Sequence, residues 1–181
     1  MTQGLIRLQH SGQSHFATFS CFRRQPRLND AALCALFLET LERVRLQFFL
    51  RVYGYVVMPE HVHLLLSEPG SGTLAEAVHC LKLSSAKQRQ FICEEQVEIG
   101  HFWQKRYYDR NIRSYSDFTE KLRYIHRNPV KRGLCEKPEE WAWSSFRHYA
   151  FGEVGAVEIE SEWTERKRAG RTTEVLQPRT V

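Results

Sequence analysis

Apolar residues change period several times along this chain. Residues 15–22 (HFATFSCF) are aromatic, β-branched and small, which predicts a strand; the basic turn Arg23-Arg24-Gln25-Pro26 ends it. Asn29 or Asp30 is placed to cap a helix whose inner face carries Leu33, Leu36, Phe37, Thr40, Leu41 and Val44. Residues 51–58 and 61–66 read as two strands joined by Pro59-Glu60, an antiparallel hairpin. After a loop with Pro69, Gly70 and Gly72, Thr73 opens a second helix with Leu74, Val78, Leu81 and Ser85 on one stripe. Lys82, Lys87 and Arg89 fall off that stripe. Residues 102–112 are less regular, with a fourth strand expected over 108–112. Ser116 or Asp117 begins a third helix running to about Arg127, ended by Pro129 and Gly133.

The order β-α-β-β-α-β-α predicts an α+β, ferredoxin-like (RRM-like) fold, with a four-stranded antiparallel sheet and helices packed on one face. Trp141, Trp143 and Phe146 suggest that residues 133–149 pack as a short helical appendage. From about Gly152 the chain turns polar. One domain is expected over 1–151, followed by a flexible tail over 152–181 that contains the charged run ERKRAGR.

Hydrophobic residues at 42% provide for a packed core, and 26 basic against 21 acidic residues leave a charge of +5. That excess favours a polyanionic partner over an acidic small molecule, although it also describes ordinary surface chemistry. The five cysteines, Cys21, Cys34, Cys80, Cys93 and Cys135, are odd in number and lack zinc-ribbon spacing. They read as buried small hydrophobes in a reducing, cytoplasmic setting. Neither a signal-peptide pattern nor an apolar run of membrane-spanning length is present in the sequence.

Candidate chemistry lies on the third strand. Side chains alternate along a strand, so Val62, Leu64 and Leu66 share the core face while His61 and His63 project together from the other. Two imidazoles so placed can share one metal ion. Alone, the pattern equally describes two surface histidines. The third helix adds context. Phe118, Leu122 and Ile125 form its apolar stripe; Tyr124 and Asn128 lie one turn apart on the flank, and Arg123 and Arg127 face solvent. Tyr124 would then be a nucleophile and the Asn128 side-chain oxygen a third ligand. The alternative is a half-buried tyrosine with a wet hydroxyl, and an Asn128 that caps a following turn ahead of Pro129.

Several separated segments resemble the single-tyrosine HUH transposases. Residues 55–64 (YVVMPEHVHL) resemble the strand pair that carries the HUH motif. Residues 124–134 (YIHRNPVKRGL) resemble the tyrosine helix and its exit. Residues 141–145 (WAWSS) with Tyr149 resemble a signature of the branch associated with repetitive extragenic palindromes, as do Phe102-Trp103-Gln104 and Tyr108-Asp109-Arg110. The similarity spans about residues 15–149.

This resemblance implies that His61, His63 and Asn128 bind a divalent metal, Mg2+ or Mn2+, and that Tyr124 is the nucleophile. It implies cleavage and rejoining of single-stranded, hairpin-containing DNA through a 5′-phosphotyrosine, with no nucleotide cofactor. It further implies a bacterial, cytoplasmic, nucleoid-associated enzyme, monomeric or homodimeric, with no membrane partner. DNA-contact candidates are Arg23, Arg24, Lys82, Lys87, Arg110, Arg113, Lys131 and Arg132; Tyr108 and Trp103 are candidates for base stacking, with the core the better place for Trp103. Competing readings are an HUH strand-nicking endonuclease, a noncatalytic ferredoxin-like nucleic-acid-binding domain and a two-histidine phosphodiesterase. The first lacks a helicase or primase module here, and the last lacks its second histidine motif. Two imidazoles and an amide carry no charge, so magnesium is expected to bind weakly without DNA, and manganese to substitute well.

Overall fold

The computed structural model describes residues 12–89 and 102–175. Cys93 therefore lies outside the described residues. Strands β1 (His15–Ser20), β2 (Val52–Val57), β3 (His61–Leu66) and β4 (Tyr108–Asn111) form one antiparallel sheet in the order β2-β3-β1-β4. Helices α1 (Ala31–Phe48) and α2 (Leu74–Arg89) pack on one face. There Leu33, Phe37, Leu41, Val44, Val78 and Leu81 meet Ala17, Phe19, Val62, Leu64 and Leu66. This is the expected ferredoxin-like order.

Local signals place both helices. Asp30 caps α1 by accepting from Ala32 N (2.6 Å) and Leu33 N (3.4 Å). The N-terminus of α2 is a capping box: Thr73 N donates to Glu76 Oε2 (2.8 Å) while Glu76 N donates to Thr73 Oγ1 (3.2 Å). Leu36 proves only half-buried, with Cys34 and Leu38 filling the inner face beside it. Trp103 belongs to the core, donating its indole N–H to Ser85 Oγ at 3.1 Å.

The third helix, α3 (Tyr115–Lys131), lies on the other face of the sheet. Its Phe118, Leu122 and Ile125 pack against Phe16, Val56, Met58 and Leu65. It begins at Tyr115, one residue before Ser116 and two before Asp117, capped by Ser114, whose Oγ accepts from Asp117 N at 3.1 Å. It also continues past Arg127, through Pro129, to Lys131. Pro129 removes one i→i−4 bond, but the following turn is held by Arg132 N→Asn128 O (3.0 Å) and Leu134 N→Pro129 O (3.0 Å). Gly133, with φ +67°, ends the helix in the left-handed conformation. Asn128 is therefore a helical residue one turn after Tyr124, not the cap of a later turn.

Residues 133–160 close the outer edge of β2. Val57 N donates to Trp143 O (2.8 Å), Tyr55 N to Ser145 Oγ (3.0 Å) and Glu160 N to Val52 O (2.8 Å). Trp141 and Trp143 are separated by a turn rather than by extended chain, and their rings pack against the clusters on opposite faces of the sheet. Helix α4 (Phe146–Phe151) follows. The expectation of a flexible polar tail from Gly152 is corrected here. Val157 and Ile159 are buried in the core, Ile159 bridges to Val52, and α5 (Glu162–Val175) comes after them. Two apolar residues among charges made too weak a pattern to register in sequence.

A glycine sets the distance of α3 from the sheet. A Cβ at Gly54 would stand 2.6 Å from Leu122 Cδ1. We predict that Gly54→Val lowers stability by about 1–3 kcal/mol through overpacking. Leu122→Ala in the same chain should recover part of that loss, a non-additivity that urea denaturation measures.

Candidate metal and tyrosine site

The side chains of β3 divide as the alternation requires. Val62, Leu64 and Leu66 enter the α1/α2 layer, while His61 and His63 face α3. Both rings are about 5% exposed. Their Nε2 atoms approach to 3.0 Å, and Asn128 Nδ2 lies 3.2 Å from His63 Nε2. Burial pushes the His63 ring down to about 3 and also lowers His61, so both are neutral and have lone pairs to offer near neutral pH.

The outer nitrogens are tied down. His63 Nδ1 shares a 2.7 Å hydrogen bond with Thr18 Oγ1, its cross-strand partner on β1. His61 Nδ1 lies 3.1 Å from Glu60 Oε1. Glu60 is buried; burial opposes its ionisation, but His61, its own backbone and Arg132 together hold its carboxyl below the usual range.

These residues fit a divalent cation. Two imidazole nitrogens at right angles about one ion, each about 2.1 Å from it, stand ~3.0 Å apart. Asn128 Oδ1 is buried without a hydrogen-bond partner among the described residues. Such an atom carries a desolvation cost that a cation would remove. Exchanging the two ends of the amide points its oxygen toward His63 Nε2. Among the described residues no group of three His, Cys, Asp or Glu is placed to hold a metal, and the further polar side chain that touches the histidine pair at His63 Nε2 is the Asn128 amide.

Tyr124 stands beside this cluster. Its ring meets His63 edge-on with centroids 5.2 Å apart and Phe16 at 5.9 Å, and it is 38% exposed. Lys131 Nζ lies 5.6 Å from the ring centroid. An open cleft of about 280 Å³ begins at Tyr124 and His63 and is lined by Phe16, Thr18, Tyr108, Arg110 and Lys121. His126 is on the other flank of α3, buried against Phe146 and Tyr149, with Nε2 2.9 Å from Ser145 Oγ. Burial pushes it down to about 4.

Most of the basic candidates gather on this side. Arg132 donates to Glu60 Oε1 at 2.8 Å, and Arg24 lies 3.6 Å from the same oxygen. Arg23 and Arg24 both hold left-handed backbone (φ 55° and 53°), which costs on the order of 1 kcal/mol each. Arg110 pairs with Asp117 at 3.3 Å, and Arg113 is exposed nearby. Lys82 and Lys87 do not join them, because α2 covers the opposite face. Lys82 Nζ instead donates to the carbonyls of Gln104 (2.6 Å) and Lys105 (3.1 Å), a structural tie. Sequence reading missed Glu60, Thr18 and Lys121. In sequence Glu60 stands in the Pro59-Glu60 connection and within the segment 55–64, and its place directly before His61 is the available signal.

The buried histidines set a pH dependence. His63 and His126 stay neutral in the fold but take up protons in the unfolded chain once the pH drops below about 6.5. Stability should therefore fall as pH drops from about 6.5 toward 4, by at most about 1.4 kcal/mol per pH unit for each such ring. His15 works the other way: Asp109 and Glu68 raise it against the effect of burial, so its contribution is present below 6.5 and lost at higher pH. The His126→Gln variant should show a shallower acid limb in urea midpoints measured between pH 7 and 4.5.

The chain is similar to known proteins in sequence and in fold. A family model described as "Transposase IS200 like" matches residues 9–128. A Haemophilus influenzae protein provisionally named REP-associated tyrosine transposase is 34% identical over 106 residues, 54% of this chain and 60% of that protein. The REP-associated tyrosine transposase of Escherichia coli K12 is 29% identical over 96 residues, 52% of this chain and 53% of that protein. The chain thus spans little more than half the length of these curated relatives. A solved REP-associated tyrosine transposase bound to a REP hairpin shares the fold, with a TM-score of 0.71 at 21% identity, covering 88% of this chain and 92% of that one. With two thirds of its length matched by the family model, the chain belongs to the IS200-like transposase family.

Proposed function

We propose that this protein cleaves and rejoins single-stranded DNA through a covalent link to Tyr124, using a divalent cation held by His61, His63 and Asn128. The observation that carries the reading is the meeting of Tyr124 with His63, ring centroids 5.2 Å apart, within one chain. A site assembled in cis supports action by a single protomer.

When bound, the cation supplies Lewis-acid polarisation of the scissile phosphate. The chain's own residues do the rest. The Tyr124 oxygen attacks phosphorus as its proton leaves to solvent or a base. The bond from phosphorus to the 3′ oxygen breaks, and that oxygen departs as a 3′ hydroxyl after taking up a proton. The DNA 5′ end remains joined to Tyr124 as a phosphodiester. A 3′ hydroxyl from another end reverses the step without ATP, because no phosphodiester energy is lost. Lys131, with Nζ 5.6 Å from the ring centroid, places a positive charge over the attacking residue, where the phosphate would approach. His126, turned away and engaged with Ser145, takes no proton in this scheme.

Phosphate contact is assigned to Arg23, Arg24, Arg110, Arg113, Lys131 and Arg132, with Tyr108, half exposed at the cleft, as a stacking surface. A hairpin-bearing single strand is the proposed substrate, a reading supported by the names of the relatives and by this basic rim.

Incubation with hairpin-bearing single-stranded DNA and Mn2+, resolved on a denaturing gel, should give a protein–DNA adduct that Tyr124→Phe abolishes. Cleavage persisting in that variant would place the nucleophile elsewhere. His61→Ala should end cleavage while most DNA binding remains.

Calorimetry should show Mn2+ binding more tightly in the presence of DNA, because phosphate oxygens add the negative charge that the neutral ligand set lacks. Equal affinity with and without DNA would contradict this.

A further inference from the structure

Every side chain facing the presumed cation is neutral, yet a carboxylate sits directly behind one of them. Glu60 occupies the turn between β2 and β3 and is 8% exposed. Its Oε1 lies 3.1 Å from His61 Nδ1 and 2.8 Å from Arg132 Nη2, with Arg24 Nη2 at 3.6 Å. Its backbone carbonyl accepts from Cys21 N at 2.8 Å, so the end of β1 also holds this turn. Four pieces of chain meet at one carboxylate: the hairpin turn, β3, the connection after β1 and the end of α3.

Two consequences follow from the donor rules. An ionised carboxylate only accepts, so the proton of neutral His61 sits on Nδ1, and the lone pair on Nε2 is left facing His63, whose own Nε2 meets Asn128. The same contact makes the ring more basic as a ligand. The second consequence is mechanical. Arg132 immediately follows α3, the helix that carries Tyr124 and Asn128. One oxygen therefore holds both the ring of His61 and the end of the helix opposite it. His63 has no such partner; its Nδ1 meets the uncharged Thr18 hydroxyl. A purely structural ion pair needs no imidazole, and Arg132 at 52% side-chain exposure makes a weak one.

We propose that Glu60 is a positioning residue of the metal site: it fixes the tautomer and orientation of His61 and, through Arg132, holds the end of α3 in register with the histidine pair. The metal part rests on the function proposed above; the tautomer part does not.

The test uses the full chain without DNA, as wild type, Glu60→Gln and Glu60→Ala. Long-range proton–nitrogen NMR at pH 8 reads the His61 tautomer in metal-free protein, and calorimetry reads Mn2+ affinity. Wild type should show the proton on Nδ1. Glu60→Gln keeps an acceptor oxygen, so the tautomer should persist while Mn2+ affinity falls by up to about tenfold. Glu60→Ala should give mixed tautomers and a loss of about 10–100-fold.

A folded Glu60→Ala protein with the proton still on Nδ1 and unchanged Mn2+ affinity overturns the proposal. Should Glu60→Ala fail to fold, unchanged Mn2+ affinity in Glu60→Gln overturns it equally, reducing Glu60 to a structural tie. If the wild type binds no Mn2+ even with DNA, the metal reading falls. A tautomer shift in Glu60→Ala would then still support the positioning role.

Discussion

β3 is hydrogen-bonded on both sides, to β1 and to β2, and this double pairing constrains the whole site. A slip of one residue would send His61 and His63 into the apolar layer under α1 and α2 and turn Val62, Leu64 and Leu66 toward α3. The burial of those three aliphatic residues, each worth about 1.5–3 kcal/mol, is what prevents it. Two neutral imidazoles thus stay packed together at a desolvation cost because the opposite face of the same strand repays it.

The second face is built to a tolerance. Gly54 leaves room for Leu122, and α3 settles close to the sheet. Ile125 anchors the helix, and Tyr124 and Asn128 flank that anchor one turn apart. The tyrosine ring and the amide both meet the His63 imidazole, which His61 also contacts, so the four side chains converge. The arginines, Glu60 and Thr18 form a rim and a back wall around that convergence. Positive side chains gather at the rim, while the groups that meet at its centre, two imidazoles and an amide, are uncharged. This division explains why neither basic composition nor the histidine pair alone suffices to describe the site.

Periodicity exposed the three main helices through their apolar stripes, and apolar runs bounded by turn residues exposed β1, β2 and β3, whereas β4, with Asp109 its one buried residue, lay in an irregular stretch. It also exposed the separation of His61 and His63 from Val62, a direct result of the two-residue repeat. It failed where contacts are made by few residues or by backbone. Val157 and Ile159 join the core through one short extended segment among charges. The passage of α3 through Pro129 depends on packing that buries Asn128 and Pro129 together, which no local rule anticipates. Lys82 resembled its basic neighbours in sequence, but only the fold shows it bound to the Gln104 and Lys105 carbonyls on the far side of the sheet.

The sequence by itself determined the elements, the face on which each histidine stands and the place of Tyr124 on the flank of its helix, since these follow from repeats of 2 and 3.6 residues along one segment, but it left the register of Asn128, next to Pro129, open. Tertiary structure alone decided that α3 lies against the histidine face. It alone placed Asn128 within 3.2 Å of His63 and joined Glu60 to Arg132 across 72 positions. Those pairings depend on how separate segments pack in three dimensions, and no repeat within any one of them encodes that distance.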